Sequence, residues 1–147
     1  MSILDKLEKS LFFKLIYWIA RFGIGLAFIA SGIRKMPGVP FTSLSESNPV
    51  GAYFSQMESL EPYWYFIGIY QIMAGFLALW NRCAAFAGVL MLPVSVNIYL
   101  ISISLQMRGT PWISFLMLLG NLYFMIWHRE QYRSLFKKAD MSNLRLK

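Results

Sequence analysis

The sequence has few charged residues for its length. Asp, Glu, Lys and Arg make up 14% of the 147 residues, whereas hydrophobic residues make up 57%. A typical soluble domain is about 25% charged, and a small domain has a large surface to cover with polar groups. The composition therefore argues against a soluble domain. It predicts a single membrane domain, residues 1–147, whose apolar side chains face lipid.

Residues suited to metal, haem or dithiol chemistry are also scarce. Cys83 is the only cysteine and His128 the only histidine. A single thiol cannot form an intramolecular disulfide or a dithiol redox pair. A metal or haem site would need more ligands than these two residues supply. We therefore expect no catalytic residue, no metal site and no intrinsic cofactor.

The net charge of +7 could suggest nucleic acid, but its distribution does not. Lysines and arginines lie at the ends of apolar runs, where they suit anionic lipid headgroups. The expected partner is the lipid bilayer, and no nucleic-acid partner is expected.

Four apolar runs are long enough to cross a bilayer as helices, which takes about 17 to 25 residues. They cover about residues 15–33, 63–80, 83–105 and 111–127. Pro93 lies inside the third run and predicts a local kink there. The expected fold is all-α, an integral membrane four-helix bundle.

The connections between the runs differ in length. Residues 81–82 and 106–110 form short links, which predict antiparallel neighbours. The first connection is nearly 30 residues long, from Arg34 to Pro62. Within it, Asn48 as N-cap followed by Pro49 predicts a short helix at the membrane surface or at the mouth of the bundle. A plain extramembrane loop is the alternative.

The positive charges predict the orientation in the membrane. One face would carry ten lysines and arginines, at positions 6, 9, 14, 82, 129, 133, 137, 138, 145 and 147; the other would carry Arg34, Lys35 and Arg108. The positive-inside rule then places both termini in the cytoplasm. We expect a multi-pass protein of the inner (plasma) membrane with a basic cytoplasmic tail, residues 128–147, that begins as a short interfacial helix.

Each apolar run has one strongly polar side chain near its middle. They are Arg21, Gln71, Asn97 and Asn121. An arginine at this depth costs at least about 2.5 kcal/mol, and no run contains Asp or Glu to offset it. We expect the four side chains to form one hydrogen-bonded cluster, although carbonyl oxygens, water or a bound anion could also satisfy the arginine.

Glycines lie on the same helix faces as two of these polar residues. Gly68 and Gly75 flank Gln71, and Gly25 and Gly32 follow Arg21 at helical spacing. Small residues let helices approach closely or leave a cavity. The cluster could thus be structural, joining helices through hydrogen bonds, or it could bind a ligand bearing a carbonyl or negative charge.

A second charged group lies in the first connection. It consists of Arg34, Lys35, Glu58 and Glu61. If the connection folds back, one of the carboxylates could reach Arg34, Lys35 or even Arg21. Ordinary solvation of the helix ends is the alternative.

Several sequence features together resemble the DoxX-like family of small four-helix membrane proteins. They are Arg21-x-Gly23-x-Gly25-x-x-Phe28-x-x-Ser31-Gly32-x-x-Lys35, then Tyr70-Gln71-x-x-Ala74-Gly75 followed by Arg82, and finally Asn97 and Asn121. The likeness covers about Phe22 to Arg129. Each feature is weak alone, and their order and spacing carry the resemblance.

The resemblance implies a four-helix membrane fold and a set of candidate ligand-binding positions. Carried over by position, these are Arg21, Gly32, Lys35, Gln71, Asn97 and Asn121. Some members of the family are subunits of a thiosulfate:quinone oxidoreductase, and others are linked to oxidative-stress complexes or membrane protein maturation. This chain has no cysteine pair and therefore departs from any relatives that have dithiol activity.

Three functional hypotheses follow. In the first, the chain is an accessory subunit of a quinone-linked or oxidative-stress redox complex and binds a small apolar or anionic ligand, such as a quinone, without being catalytic on its own. In the second, it is a non-enzymatic scaffold that docks a larger membrane complex. In the third, it carries a lipid or small molecule, which would favour a homo-oligomer.

Overall fold

The computed structural model describes residues 10–136, and within them the chain is helical with no strand. The helices are α1 (Leu11–Ile33), α2 (Pro49–Ser59), α3 (Glu61–Leu79), α4 (Ala84–Ser104), α5 (Thr110–Trp127) and α6 (Arg129–Phe136). The expected all-α class is confirmed. Lys6, Lys9 and residues 137–147 of the predicted basic tail lie outside the described residues.

Three helices in the described part of the chain are long and apolar enough to cross a membrane. They span Leu11–Ile33, Asn81–Ser104 and Thr110–Trp127. These helices support a multi-pass membrane protein. Helix α3 has 19 residues, but its first turns contain Glu61 and several aromatic residues with polar groups, which lower its mean hydropathy. A membrane crossing by α3 therefore stays a prediction.

Each of the four long helices packs mainly against two of the others. Helix α1 packs against α3 and α5, and α4 packs against the same two helices. A short 3₁₀ turn, Asn81–Cys83, joins α3 to α4. Pro62 and Pro111 lie in the first turns of α3 and α5, where a missing N–H costs little.

Glycines set the close approach of α1 and α3. A Cβ added at Gly32 would lie 2.5 Å from the Gly68 carbonyl oxygen, and one added at Gly75 would lie 2.6 Å from that of Gly25. The backbones are therefore nearly in contact, as small residues permit. The glycine faces are filled by the neighbouring helix and do not form a cavity at these points.

The first connection folds back onto α3. The Asn48 side chain accepts a hydrogen bond from the Val50 N–H at 2.9 Å, and Pro49 begins α2, which confirms the predicted short helix. The Phe54 ring then packs against those of Phe41 and Trp64, with centroids 4.4 and 6.2 Å away. This contact brings the connection to the N-terminal end of α3.

Pro93 lies inside α4, and the local kink expected there stays a prediction. The missing N–H of this residue removes one helical hydrogen bond and perturbs the preceding turn. In that turn, the Leu90 carbonyl accepts a hydrogen bond from the Tyr70 hydroxyl at 2.8 Å. A side chain of α3 thus supports the backbone of α4 beside the proline.

Candidate functional site

Arg21 is buried and binds the end of a neighbouring helix. Its Nε donates to the Ala78 carbonyl at 2.6 Å, and a terminal nitrogen donates to the Leu79 carbonyl at 3.1 Å. The other terminal nitrogen donates to the Tyr17 hydroxyl at 3.2 Å. Ala78 and Leu79 end α3, where carbonyl groups have no helical donor and the helix dipole is negative.

The prediction of one hydrogen-bonded cluster around Arg21 is therefore wrong, and the carbonyl alternative is confirmed. Helical side chains lean toward the N-terminus of their helix. The long Arg21 side chain accordingly extends toward Trp18, whose ring centroid lies 5.0 Å from the guanidinium carbon. This direction takes the charge away from the middle of the helices, where Gln71, Asn97 and Asn121 lie.

Asn121 has a separate, structural environment between α4 and α5. It is fully buried and lies 3.2 Å from the Ser95 hydroxyl. In the amide orientation that satisfies both of its ends, it also donates to the Gly88 carbonyl at 3.1 Å. These contacts are the interhelical bonds of the structural alternative.

Lys35 is the buried cation at the opposite end of α1. Only 6% of its surface is exposed. Its Nζ donates to the Ser31 carbonyl at 3.2 Å and to the Ser31 hydroxyl at 3.0 Å. It also lies 4.4 Å from the Phe41 ring centroid and 5.0 Å from that of Trp64. Two aromatic faces and a serine thus surround the ammonium group.

Burial lowers the pKa of Lys35 from its usual 10.5 to about 8, because an apolar environment penalises the charged form. The first connection folds back, and the Glu58 carboxylate accepts a hydrogen bond from the Phe41 N–H at 2.9 Å. Arg34 is exposed and donates to the Phe41 carbonyl. The charged group of the first connection is thus organised around the Phe41 backbone.

Lys35 lines a cavity of about 570 Å³ between α3, α4 and the first connection. Gln71 and Asn97 line the same cavity, with Trp64 and Phe54 among its aromatic residues. Among the described residues that form the wall, none is acidic. The volume lies in the range of small-molecule sites, which are mostly apolar with a few polar groups.

A hydrogen-bond path leads from the cation toward the middle of the cavity. The Ser31 hydroxyl, which contacts Lys35, also donates to the Gln71 side-chain oxygen at 3.4 Å. Asn97 is exposed, although it lies well inside the apolar helix α4. An accessible amide at that depth is available to a ligand.

The structure therefore brings three of the six sequence-predicted positions together. Lys35, Gln71 and Asn97 share the cavity, and Gly32 holds α1 against α3 nearby. Arg21 and Asn121 are not among the residues of its wall.

Sequence reasoning missed the aromatic residues Phe41 and Trp64 around Lys35. The first connection brings Phe41 there, and no helical spacing predicts that contact. The sequence did offer one signal for the surroundings of Lys35. Ser31 and Lys35 are four residues apart, a spacing that places two side chains on the same face of a helix.

No family model, curated protein or solved structure matches this chain.

Proposed function

We propose that the protein binds a small, largely apolar molecule with a carbonyl or anionic group in the Lys35 cavity, as an accessory subunit of a quinone-linked or oxidative-stress redox complex. The proposal includes a DoxX-like four-span bundle, with α3 as the second span and both termini in the cytoplasm. The observation that carries it is the buried Lys35 ammonium at the wall of an apolar cavity whose described lining has no acidic residue.

The hydrogen-bonding capacity of Lys35 supports a ligand with an acceptor oxygen. An ammonium group has three N–H donors, and its two hydrogen bonds here are both to Ser31. A buried charge is costly unless it is paired and fully hydrogen-bonded. A ligand carbonyl or carboxylate beside the third N–H would therefore lower the free energy of the ammonium form.

The rest of the cavity favours a planar ligand with more than one acceptor. Phe41 and Trp64 offer aromatic faces beside the ammonium group, and the Asn97 amide offers a second polar contact deeper in the cavity. A quinone has a flat apolar ring with carbonyls at opposite edges. This chemistry fits better than that of a saturated fatty acid, which has one polar end.

The exposed cavity residues support entry from the lipid phase. Tyr63 and Phe66, both on α3, line the cavity and are 52% and 62% exposed. If α3 crosses the bilayer, these side chains face the hydrocarbon or the headgroup region. A quinone dissolved in the bilayer could then enter beside α3.

Binding can be tested with a decyl-substituted benzoquinone titrated into the purified protein in lipid nanodiscs. Lys35→Met should weaken binding by about ten-fold or more, because the buried donor is lost. Arg82→Met is the matched control, since Arg82 is an exposed cation in the turn between α3 and α4 and is not part of the cavity wall; this variant should bind like the wild type. Unchanged binding in Lys35→Met would overturn the proposal.

The partner and carrier hypotheses need different measurements. Co-purification from native membranes with a redox protein would support the accessory role. The open cavity also suits a lipid or small-molecule carrier, and that alternative predicts flux of the quinone between liposomes. Tight binding without flux favours the accessory subunit.

A further inference from the structure

We propose that Lys35 is also an amine nucleophile that forms an imine with apolar aldehydes entering the cavity from the bilayer. The inference rests on the proposed function in one respect, because the same cavity must admit apolar molecules. It differs in outcome, since the ligand becomes covalently attached to the protein.

The position of the amine supports this reaction. Lys35 follows the end of α1, and its Cβ packs against the glycine face of α3, since a Cβ added at Gly68 would lie only 2.8 Å from it. Its Nζ is then fixed between Ser31 and the rings of Phe41 and Trp64. The amine therefore stands at the wall of a cavity that can hold the carbonyl carbon of a bound aldehyde close to it.

The protonation state also supports the reaction, because only the neutral amine is nucleophilic. With the pKa of Lys35 near 8 rather than 10.5, the neutral fraction at pH 7.5 rises about 200-fold. The other titratable groups in the described wall of the cavity are the phenols of Tyr53, Tyr63 and Tyr70. Arg34 and Glu58 contact the Phe41 backbone and are not wall residues. Burial raises the pKa of Tyr53, with a smaller contribution from Tyr63, so that phenol stays neutral in this pH range.

The chemistry balances without an oxidant or reductant. The Nζ lone pair attacks the aldehyde carbon, a C–N bond forms, and the carbonyl oxygen takes the proton released from nitrogen. The Ser31 hydroxyl, 3.0 Å from Nζ, can pass that proton. The resulting carbinolamine loses its hydroxyl group and the second N–H proton as water, which leaves a C=N bond. The apolar wall limits the return of water and thus slows hydrolysis.

The test uses dodecanal as the aldehyde and the protein in lipid nanodiscs. After incubation at pH 7.5, cyanoborohydride reduces any imine to a stable secondary amine, and peptide mass spectrometry locates it. We expect modification of Lys35 to exceed that of Lys14 by about ten-fold or more, because Lys14 is exposed and is not in the wall of this cavity. Lys14→Arg should leave the yield at Lys35 unchanged.

The comparison of two lysines within the wild-type protein does not depend on whether a variant folds. Equal modification of Lys35 and Lys14, or none at Lys35, would overturn the imine proposal. If the decyl-benzoquinone still binds in that case, the proposed function survives alone. Modification of Lys35 without quinone binding would support the nucleophile and overturn the quinone proposal.

Discussion

Arg21 and Ala78 are joined by a 2.6 Å hydrogen bond from the arginine Nε to the alanine carbonyl oxygen. The bond links α1 to the last turn of α3, and Arg21 makes a second bond to the Leu79 carbonyl. A buried guanidinium thus supplies donors to a helix end that has none of its own. This arrangement gives Arg21 a structural role, and the ligand proposed above is assigned to the Lys35 cavity.

The first prediction concerns the stability contributed by Arg21. Arg21→Met should lower the free energy of unfolding by about 2 to 4 kcal/mol, because three hydrogen bonds from a charged donor are lost and α3 keeps bare carbonyls. The measurement is SDS-induced unfolding in mixed micelles. Arg82→Met is the control, since Arg82 is exposed in the turn between α3 and α4. A stable Arg21→Met protein that no longer binds quinone would instead assign Arg21 to the ligand.

The second prediction concerns the contact between α1 and α3. Gly32→Ala and Gly75→Ala should each destabilise the protein by about 1 to 3 kcal/mol, since the added methyl meets a backbone carbonyl. Gly23→Ala is the matched control, because a Cβ there meets nothing within 4 Å. It should be neutral or slightly stabilising, because alanine favours the helix. Equal losses at all three glycines would contradict this account.

The third prediction concerns pH. The Lys35 ammonium form predominates below about pH 8 and is lost as the pH rises through that value. Quinone binding that needs this donor should therefore be constant near pH 6 to 7 and fall about ten-fold per unit well above pH 8. Lys35→Arg should keep its charge and extend binding to higher pH. A titration that is flat from pH 6 to 10 in the wild type would exclude the ammonium as the donor.

The fourth prediction separates two asparagines of similar depth. Asn97→Leu should weaken quinone binding by about three- to ten-fold and leave stability unchanged, because this exposed amide faces the cavity. Asn121→Leu should cost about 1 to 3 kcal/mol of stability, since its buried bonds to α4 are lost. Folded Asn121→Leu protein should still bind quinone. The reverse pattern would move the ligand site to Asn121.

The fifth prediction concerns orientation. In a Cys83→Ala background, Asn81→Cys and Ser47→Cys place single thiols at exposed positions beyond the two ends of α3. These positions lie on opposite membrane faces if α3 crosses the bilayer. If both termini are cytoplasmic, a membrane-impermeant maleimide added to intact spheroplasts should label the cysteine at position 47 and not that at position 81. After lysis, both should react. Labelling of position 81 but not of position 47 in intact spheroplasts would reverse the orientation, and labelling of both would show that α3 does not cross.

The helices were largely predictable from sequence, because long apolar runs and capping residues act locally. The third and fourth runs, 83–105 and 111–127, lie within one residue of α4 and α5 at each end. The sequence predicts that the first run begins at residue 15, after Lys14, whereas α1 begins at Leu11. A lysine near a helix end can extend its charge toward the interface, so it need not stop the helix.

The partners of the polar side chains were less predictable. The depth of Arg21 along its helix follows from residue counting, but its hydrogen-bond partners depend on which helix end lies beside it. Likewise, the environment of Lys35 requires Phe41 to return from the first connection. Such contacts depend on tertiary structure, and helical periodicity contains no information about them.

The accessible flank of the cavity determines how occupancy should be measured. Phe41 and Phe54 from the first connection form part of its wall, whereas Tyr63 and Phe66 on α3 are exposed. If the ligand exchanges with lipid past these residues, its effective concentration is its mole fraction in the bilayer. Diluting the protein with extra lipid at constant total ligand should then empty the cavity, whereas adding buffer should leave it filled.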